Sequence, residues 1–271
     1  MNQLKTFVFI LLLFSVVVSK GQSESSFTLS KTLEADIVDF TVDNLGNIYL
    51  LSKGNQLKKL DPKLDSIAVY NAVSRYGNID FIDATNPLKV LLFYKDFSTI
   101  VTVDRFLNIL NTIDLRSLNI FQVKSIGLAY DNNIWLFDEL DANLKRIGDD
   151  GSLINQSTDF RQLFDTIPDP AKIIDRGDFV YLYDTLHGVY VFDHYGSLKN
   201  HVQLKDWLDF TVIDKNLLGR NDNYFFKYRL STLNIEQESM TDAYRNAIKI
   251  IIMPAAIYVL RKNVLKIYSR P

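Results

Sequence analysis

One pattern recurs through this chain about every 44 residues. A β-branched stretch, a polar turn, an aromatic-aliphatic strand, a further strand and an Asp-led turn follow one another in the same order. The aromatic-aliphatic strand reads Ile48-Tyr49-Leu50-Leu51, Val90-Leu91-Leu92-Phe93, Ile134-Trp135-Leu136-Phe137, Val180-Tyr181-Leu182-Tyr183, Tyr224-Phe225-Phe226 and Ile257-Tyr258-Val259-Leu260. Successive starts lie 42, 44, 46, 44 and 33 residues apart, so six units are expected. The turn after the third strand of a unit is a second marker: Asp61-Pro62-Lys63-Leu64, Asp104-Arg105-Phe106-Leu107, Asp149-Asp150-Gly151-Ser152 and Asp193-His194-Tyr195-Gly196, at spacings of 43, 45 and 44. A chance repeat would not hold strand and turn in phase.

Units of this length, written almost wholly in short strands, match the four-stranded blade of a β-propeller rather than a helical solenoid. Only residues 157–166 and 237–245 have a helix-like composition, and both fall where one blade hands over to the next. The last unit supplies three strands, at 248–252, 257–260 and 264–268, while residues 27–33 form a surplus strand ahead of the first unit. Pairing the two removes the open edges that an unclosed ring would leave. The expected fold is therefore all-β, a six-bladed β-propeller with the N-terminal strand closing the last blade.

Ahead of the repeats, Lys5 precedes an apolar run over residues 7–18, too short for the ~20 residues of a membrane-spanning helix. With Ser19-Lys20-Gly21 behind it, the run reads as a signal peptide over residues 1–21, followed by a single domain over 22–271. The best later apolar stretch, 248–253, stops at Pro254, so no transmembrane span is expected in the mature chain. The chain has no cysteine, which excludes disulfides, thiolate metal sites, a cysteine nucleophile and a lipoprotein anchor. Thirty basic against 32 acidic residues give a net charge of -2, which offers nucleic acid no electrostatic footprint. An exported protein, periplasmic or associated with the outer membrane but not a lipoprotein, is the expectation.

The phrases Asp43-Asn44-Leu45-Gly46-Asn47-Ile48-Tyr49-Leu50 and Asn55-Gln56-Leu57-Lys58-Lys59-Leu60-Asp61 look most like a blade of the NHL type. Over its whole mature length the chain resembles the six-bladed β-propellers of the NHL and TolB-like superfamily, of the kind abundant in the envelopes of Bacteroidota. The Ser-Lys-Gly/Gln junction looks like an export signal of that phylum. The resemblance implies a fold whose members serve as ligand binders, scaffolds and occasionally enzymes.

A search for chemistry finds little. The three histidines, His187, His194 and His201, recur every seven residues, an odd offset that would split them between opposite faces of a strand; exposed turn positions are expected rather than a zinc site. Propeller lactonases, to which the resemblance extends, hold calcium in the channel with an inward Glu, Asn and Asp. Here the inner strands offer Asp39, Asp83, Asp175 and Asp214 with Lys124 and Lys249, and no glutamate. There is no Gly-rich phosphate loop and no Gly-x-Ser-x-Gly elbow, so neither catalytic residues nor a metal or other cofactor are expected. The 14 Tyr and 18 Phe residues fall mostly at alternate strand positions, where packing between blades would bury them. The candidate binding residues are those on the loops entering each inner strand, Asp36, Asp80, Lys124, Lys172 and Asp209, whose mixed charge suits a protein surface. The expected function is a non-catalytic binding or scaffolding subunit of a cell-envelope assembly. A channel-type metal-dependent hydrolase or lactonase, or a soluble receptor for a ligand or glycan, is the alternative.

Overall fold

Apolar residues at alternate or successive positions over four to six residues, closed by Asp- and Gly-bearing turns, favour short antiparallel strands, and the computed structural model contains 24 of them among the described residues. The structure describes residues 27–71 and 75–270; the expected signal peptide lies outside the described residues. Strand β1 (Thr28–Glu34) precedes the first blade, which consists of β2 (Asp39–Val42), β3 (Ile48–Leu51), β4 (Leu57–Leu60) and β5 (Ser66–Tyr70). The second blade contains β6 (Phe81–Asn86), β7 (Lys89–Tyr94), β8 (Thr99–Val103) and β9 (Ile109–Asp114). The third contains β10 (Val123–Leu128), β11 (Ile134–Asp138), β12 (Asn143–Ile147) and β13 (Leu153–Gln156). The fourth runs through β14 (Lys172–Arg176), β15 (Phe179–Asp184), β16 (Gly188–Asp193) and β17 (Leu198–Val202). In the fifth are β18 (Leu208–Ile213), β19 (Asn216–Arg220), β20 (Tyr224–Arg229) and β21 (Asn234–Ser239). The sixth holds β22 (Lys249–Ile252), β23 (Ala256–Arg261) and β24 (Val264–Ser269), with β1 as its outer strand.

Five sheets are four-stranded antiparallel meanders, the sixth is a three-stranded meander completed by β1, and the six together make the β-propeller expected from the repeat. The ring closes as expected: β1 pairs with β24 from Thr28 opposite Ser269 to Glu34 opposite Val264, and the Ser30 hydroxyl donates to the Ile267 carbonyl at 2.9 Å. Each blade junction has its own apolar core. Trp135, Phe137 and Phe160 pack with Val180, Leu182 and Phe192 between the third and fourth blades, and Tyr49 and Leu57 with Val90 and Leu92 between the first and second. The junction of blades five and six is the thinnest, with four buried members, Ile250, Ile257, Val259 and Tyr268.

The turn between the third and fourth strands has the same geometry in blades one to four. The fourth turn residue, Leu64, Leu107, Gly151 or Gly196, has a positive φ of 79°, 63°, 81° or 85°. Its N–H donates to the carbonyl of the first, Asp61, Asp104, Gly148 or Asp193, at 3.0 Å. This is a type I turn followed by a left-handed residue, and it accounts for the register shift found in all four strand pairs. Asp61, Asp104 and Asp193 each accept two further backbone N–H groups at 2.8–2.9 Å. The carbonyl of the second turn residue is bonded by the preceding blade: Lys31 to Pro62, Lys59 to Arg105, Asn111 to Asp149 and Asn155 to His194.

Three expectations are corrected. In blade three the turn begins at Gly148 and not at Asp149, because Asp150 supplies the capping carboxylate, accepting from Ser152 N–H at 3.0 Å. In blade five Tyr224-Phe225-Phe226 belongs to the third strand, β20, and the second strand is β19. The reason is Gly219: a Cβ there would lie 2.5 Å from the Trp207 ring, so the second strand gives up its aromatic signature to make room for Trp207, which stacks on Phe226 at 5.3 Å. Residues 237–239 lie in β21 rather than in a linking turn, whereas 157–166 does contain a 3-10 turn, Phe160–Gln162.

Candidate functional site

The innermost strands, β2, β6, β10, β14, β18 and β22, touch one another around the axis of the ring. Because each inner strand opens an antiparallel meander, all six begin on one face, here the upper, and end on the lower. They enclose a cavity of about 400 Å3, within the range of small-molecule sites. Its charged lining is Asp83, Lys172, Asp175, Arg176, Asp209 and Lys249.

These side chains join neighbouring blades. Asp83 accepts the Leu128 N–H at 2.8 Å, joining blades two and three. Asp175 takes the Tyr130 N–H at 3.1 Å and the Trp135 indole N–H at 2.8 Å, joining four to three. Lys172 donates to the Phe210 carbonyl at 2.9 Å, from four to five. Asp209 sits in a bulge of β18 with φ 53°, and this conformation turns its carboxylate onto the Ile250 N–H at 2.7 Å in blade six and the Arg220 Nε at 2.6 Å. Lys249 meets Asp39 at 2.7 Å, from six to one. Away from the channel, Asn55 completes the set, donating to the Gly77 carbonyl at 2.9 Å and accepting the Ile79 N–H at 2.8 Å. Each of the six junctions thus carries a polar latch beside its apolar core.

The five candidate binding residues all lie at the upper ends of inner strands, but they do not form one cluster. Lys172 and Asp209 face the cavity. Asp36 is exposed and pairs with Lys53 at 3.5 Å. Asp80 accepts the Lys95 N–H at 2.7 Å, fixing the turn between β7 and β8. Lys124 lies between Asp169 at 3.0 Å and Glu139 at 3.5 Å, and the hydrogen bond to Asp169 holds its pKa above the usual lysine value. Lys172 behaves in the opposite way. Burial within the ring pushes its pKa down to about 8, and the ammonium of Lys249 adds to the effect.

The histidines are not free turn residues. His187 contacts Asp184 at 2.8 Å; His194 contacts Asp175 at 3.0 Å and stacks on Tyr130; His201 bonds the His187 carbonyl at 2.8 Å and stacks on Tyr190. Among the described residues no three of His, Cys, Asp and Glu gather as a metal site. Asp214, counted above with the inner strands, occupies the turn between β18 and β19 with φ 53°. Arg220 was not singled out from the sequence, because it ends the strand whose aromatic marker is missing; it is buried, holding Asp209 and the Ala247 carbonyl.

The upper mouth carries exposed apolar side chains from all six blades: Val38, Phe97, Phe121, Leu186, Leu208 and Ile248, from 43% exposed at Val38 to 64% at Leu186. The lower face carries exposed apolar residues too, such as Leu45, Leu88 and Tyr195, at the tips of hairpins, as Phe97 and Leu186 are on the upper face.

No protein-family model matches the chain, and no curated protein matches it in sequence. Its fold is similar to that of several solved structures. Catalytically inactive virginiamycin B lyase from Staphylococcus aureus with quinupristin is 12% identical, with 90% of this chain and 99% of that one covered and a TM-score of 0.64. The WD40 domain of Neurospora crassa Pan2 is 8% identical over 91% of this chain and 96% of that one, with a TM-score of 0.66. A streptogramin B lyase is 15% identical, covering 86% and 78%, with a TM-score of 0.59. Lyases and a WD40 domain share the architecture, so the likeness is one of fold: the chain is a six-bladed β-propeller.

Proposed function

We propose that this propeller is a non-catalytic binding or scaffolding subunit of a cell-envelope assembly, of NHL-like type, exported by its first 21 residues to the periplasm or the outer membrane. The observation that carries the reading is the upper mouth, where an exposed apolar side chain from each blade stands among ion pairs such as Asp36 with Lys53 and Lys124 with Asp169. Apolar anchors within a polar surround are what a protein interface needs. The latches support it as well: a ring held at every junction presents its loops already ordered, which lowers the entropic cost of association. The same latches occupy Asp83, Asp175, Asp209 and Asp39, the carboxylates a hydrolytic channel would need free. The test is a mild-detergent pull-down from native membranes with a tagged copy. A stoichiometric envelope protein recovered with the wild type, and lost with Phe97→Glu and Leu186→Glu, is the expected outcome. Recovery of the chain alone would refute the proposal.

A further inference from the structure

The donors and acceptors of the channel wall do not balance. The carboxylates are supplied with N–H donors: Asp83 takes two backbone amides, Asp175 an amide, an indole and the His194 ring, and Asp209 an amide and a guanidinium. The ammonium groups are not. Lys172 and Lys249 each have three N–H donors and, among the described residues, one acceptor, the Phe210 carbonyl and the Asp39 carboxylate respectively. Among the described residues no carboxylate lies within ion-pair distance of Lys172, whose one hydrogen bond goes to a carbonyl, so the wall of a cavity of about 400 Å3 holds a cation without a direct counter-ion from them. Thr41, Thr85 and Thr211 add hydroxyls to the same wall.

We propose that the channel binds a small molecule through a compact oxyanion, a carboxylate or a phosphate, held between the ammonium groups of Lys172 and Lys249. The oxyanion supplies the acceptors that both amines lack, and charge-assisted hydrogen bonds in a confined site are the stronger kind. Lys249 lies close enough to depress the pKa of Lys172, so a single anion can relieve the repulsion between them. Asp209 on the adjacent strand β18, and Asp83 and Asp39 across the channel, also act on Lys172 and favour its charged form, against the effect of burial. This inference is independent of the partner-binding role of the upper mouth.

The experiment is calorimetric titration of the purified full chain at pH 7 with succinate and, separately, with inorganic phosphate. Saturable 1:1 binding of at least one probe is expected, weakened tenfold or more in Lys172→Met and in Lys249→Met and unchanged in Lys95→Met; which probe saturates identifies the class of oxyanion. A second measurement does not depend on the folding of a variant. Between pH 7 and pH 10 the wild-type affinity should fall at least tenfold as Lys172 gives up its proton. No saturable heat with either probe, equal affinity in the lysine variants, or affinity independent of pH would overturn the proposal.

Discussion

Lys249, on the innermost strand of the last blade, meets Asp39, on the innermost strand of the first, at 2.7 Å, on the axial side of the blade whose outer edge is closed by the pairing of β1 with β24. Both side chains are about one-third exposed, so water screens the pair and its contribution is ~1 kcal/mol or less. The ladder between β1 and β24 is a different matter, since it supplies the whole outer strand of a blade. Chemical denaturation should show Lys249→Met destabilised by no more than that amount, while deletion of residues 27–34 costs several kcal/mol, a large share of the stability of a domain. An unchanged midpoint for the deletion would refute closure by β1.

At neutral pH the folded protein keeps a charged Lys172 inside the ring although its pKa there is about 8 against 10.5 unfolded. Below the folded value both states carry the proton, and the buried charge costs stability. Between about 8 and 10.5 only the unfolded state holds it, so the cost is relieved and stability contributed by this group rises with pH. Lys172→Met should therefore melt higher than the wild type at pH 7, by ~1 kcal/mol once channel water and the lost Phe210 bond are allowed for. The gap should close by pH 10, which thermal melts across the range will show.

Gly219 and Gly177 separate two reasons for glycine. A Cβ at Gly219 would lie 2.5 Å from the Trp207 ring, and Gly219→Ala is expected to cost ~1–3 kcal/mol by overpacking. At Gly177, with φ 64°, nothing lies within 4 Å, and Gly177→Ala costs only the ~1–2 kcal/mol of a left-handed alanine. Replacing Trp207 by Leu should make Gly219→Ala nearly neutral and leave the cost at Gly177 unchanged; a double-mutant cycle measures both.

The repeat made the blade count and the closing strand legible, because strand and turn signals such as Tyr49 and Asp61 are local chemistry. It misplaced the fifth blade for a tertiary reason: Trp207 arrives from the preceding loop and replaces the aromatic that β19 would have carried. The upper ends of the inner strands could be located from the same periodicity, yet the roles of their residues could not. Asp209 and Lys172 act on blades five and six through contacts made only when the ring is closed, and sequence spacing does not report which blade a side chain leans toward. The exposed apolar residues at the mouth, Phe97 and Leu186 among them, were hidden among the many aromatic and aliphatic residues of the core.

The buried turn carboxylate Asp43 accepts the N–H groups of Leu45 and Asn47 at 2.9 Å, the Asn47 side-chain amide at 2.8 Å and the Tyr49 hydroxyl at 3.1 Å. Asp43→Ala leaves these donors unsatisfied and should cost ~2–4 kcal/mol. Asp61→Ala, at an exposed turn with two backbone donors that water can reach, should cost ~1 kcal/mol or less. Urea denaturation of the two variants side by side tests the ranking.

Site-specific photocrosslinking in intact cells tests whether the upper mouth is the contact surface. A photoreactive residue at Leu186, on the upper mouth, should yield a discrete crosslinked species with a cell-envelope protein, and one at Leu45, at a hairpin tip on the lower face, should yield none. Crosslinking at Leu45 with none at Leu186, or none at either position, would contradict the account.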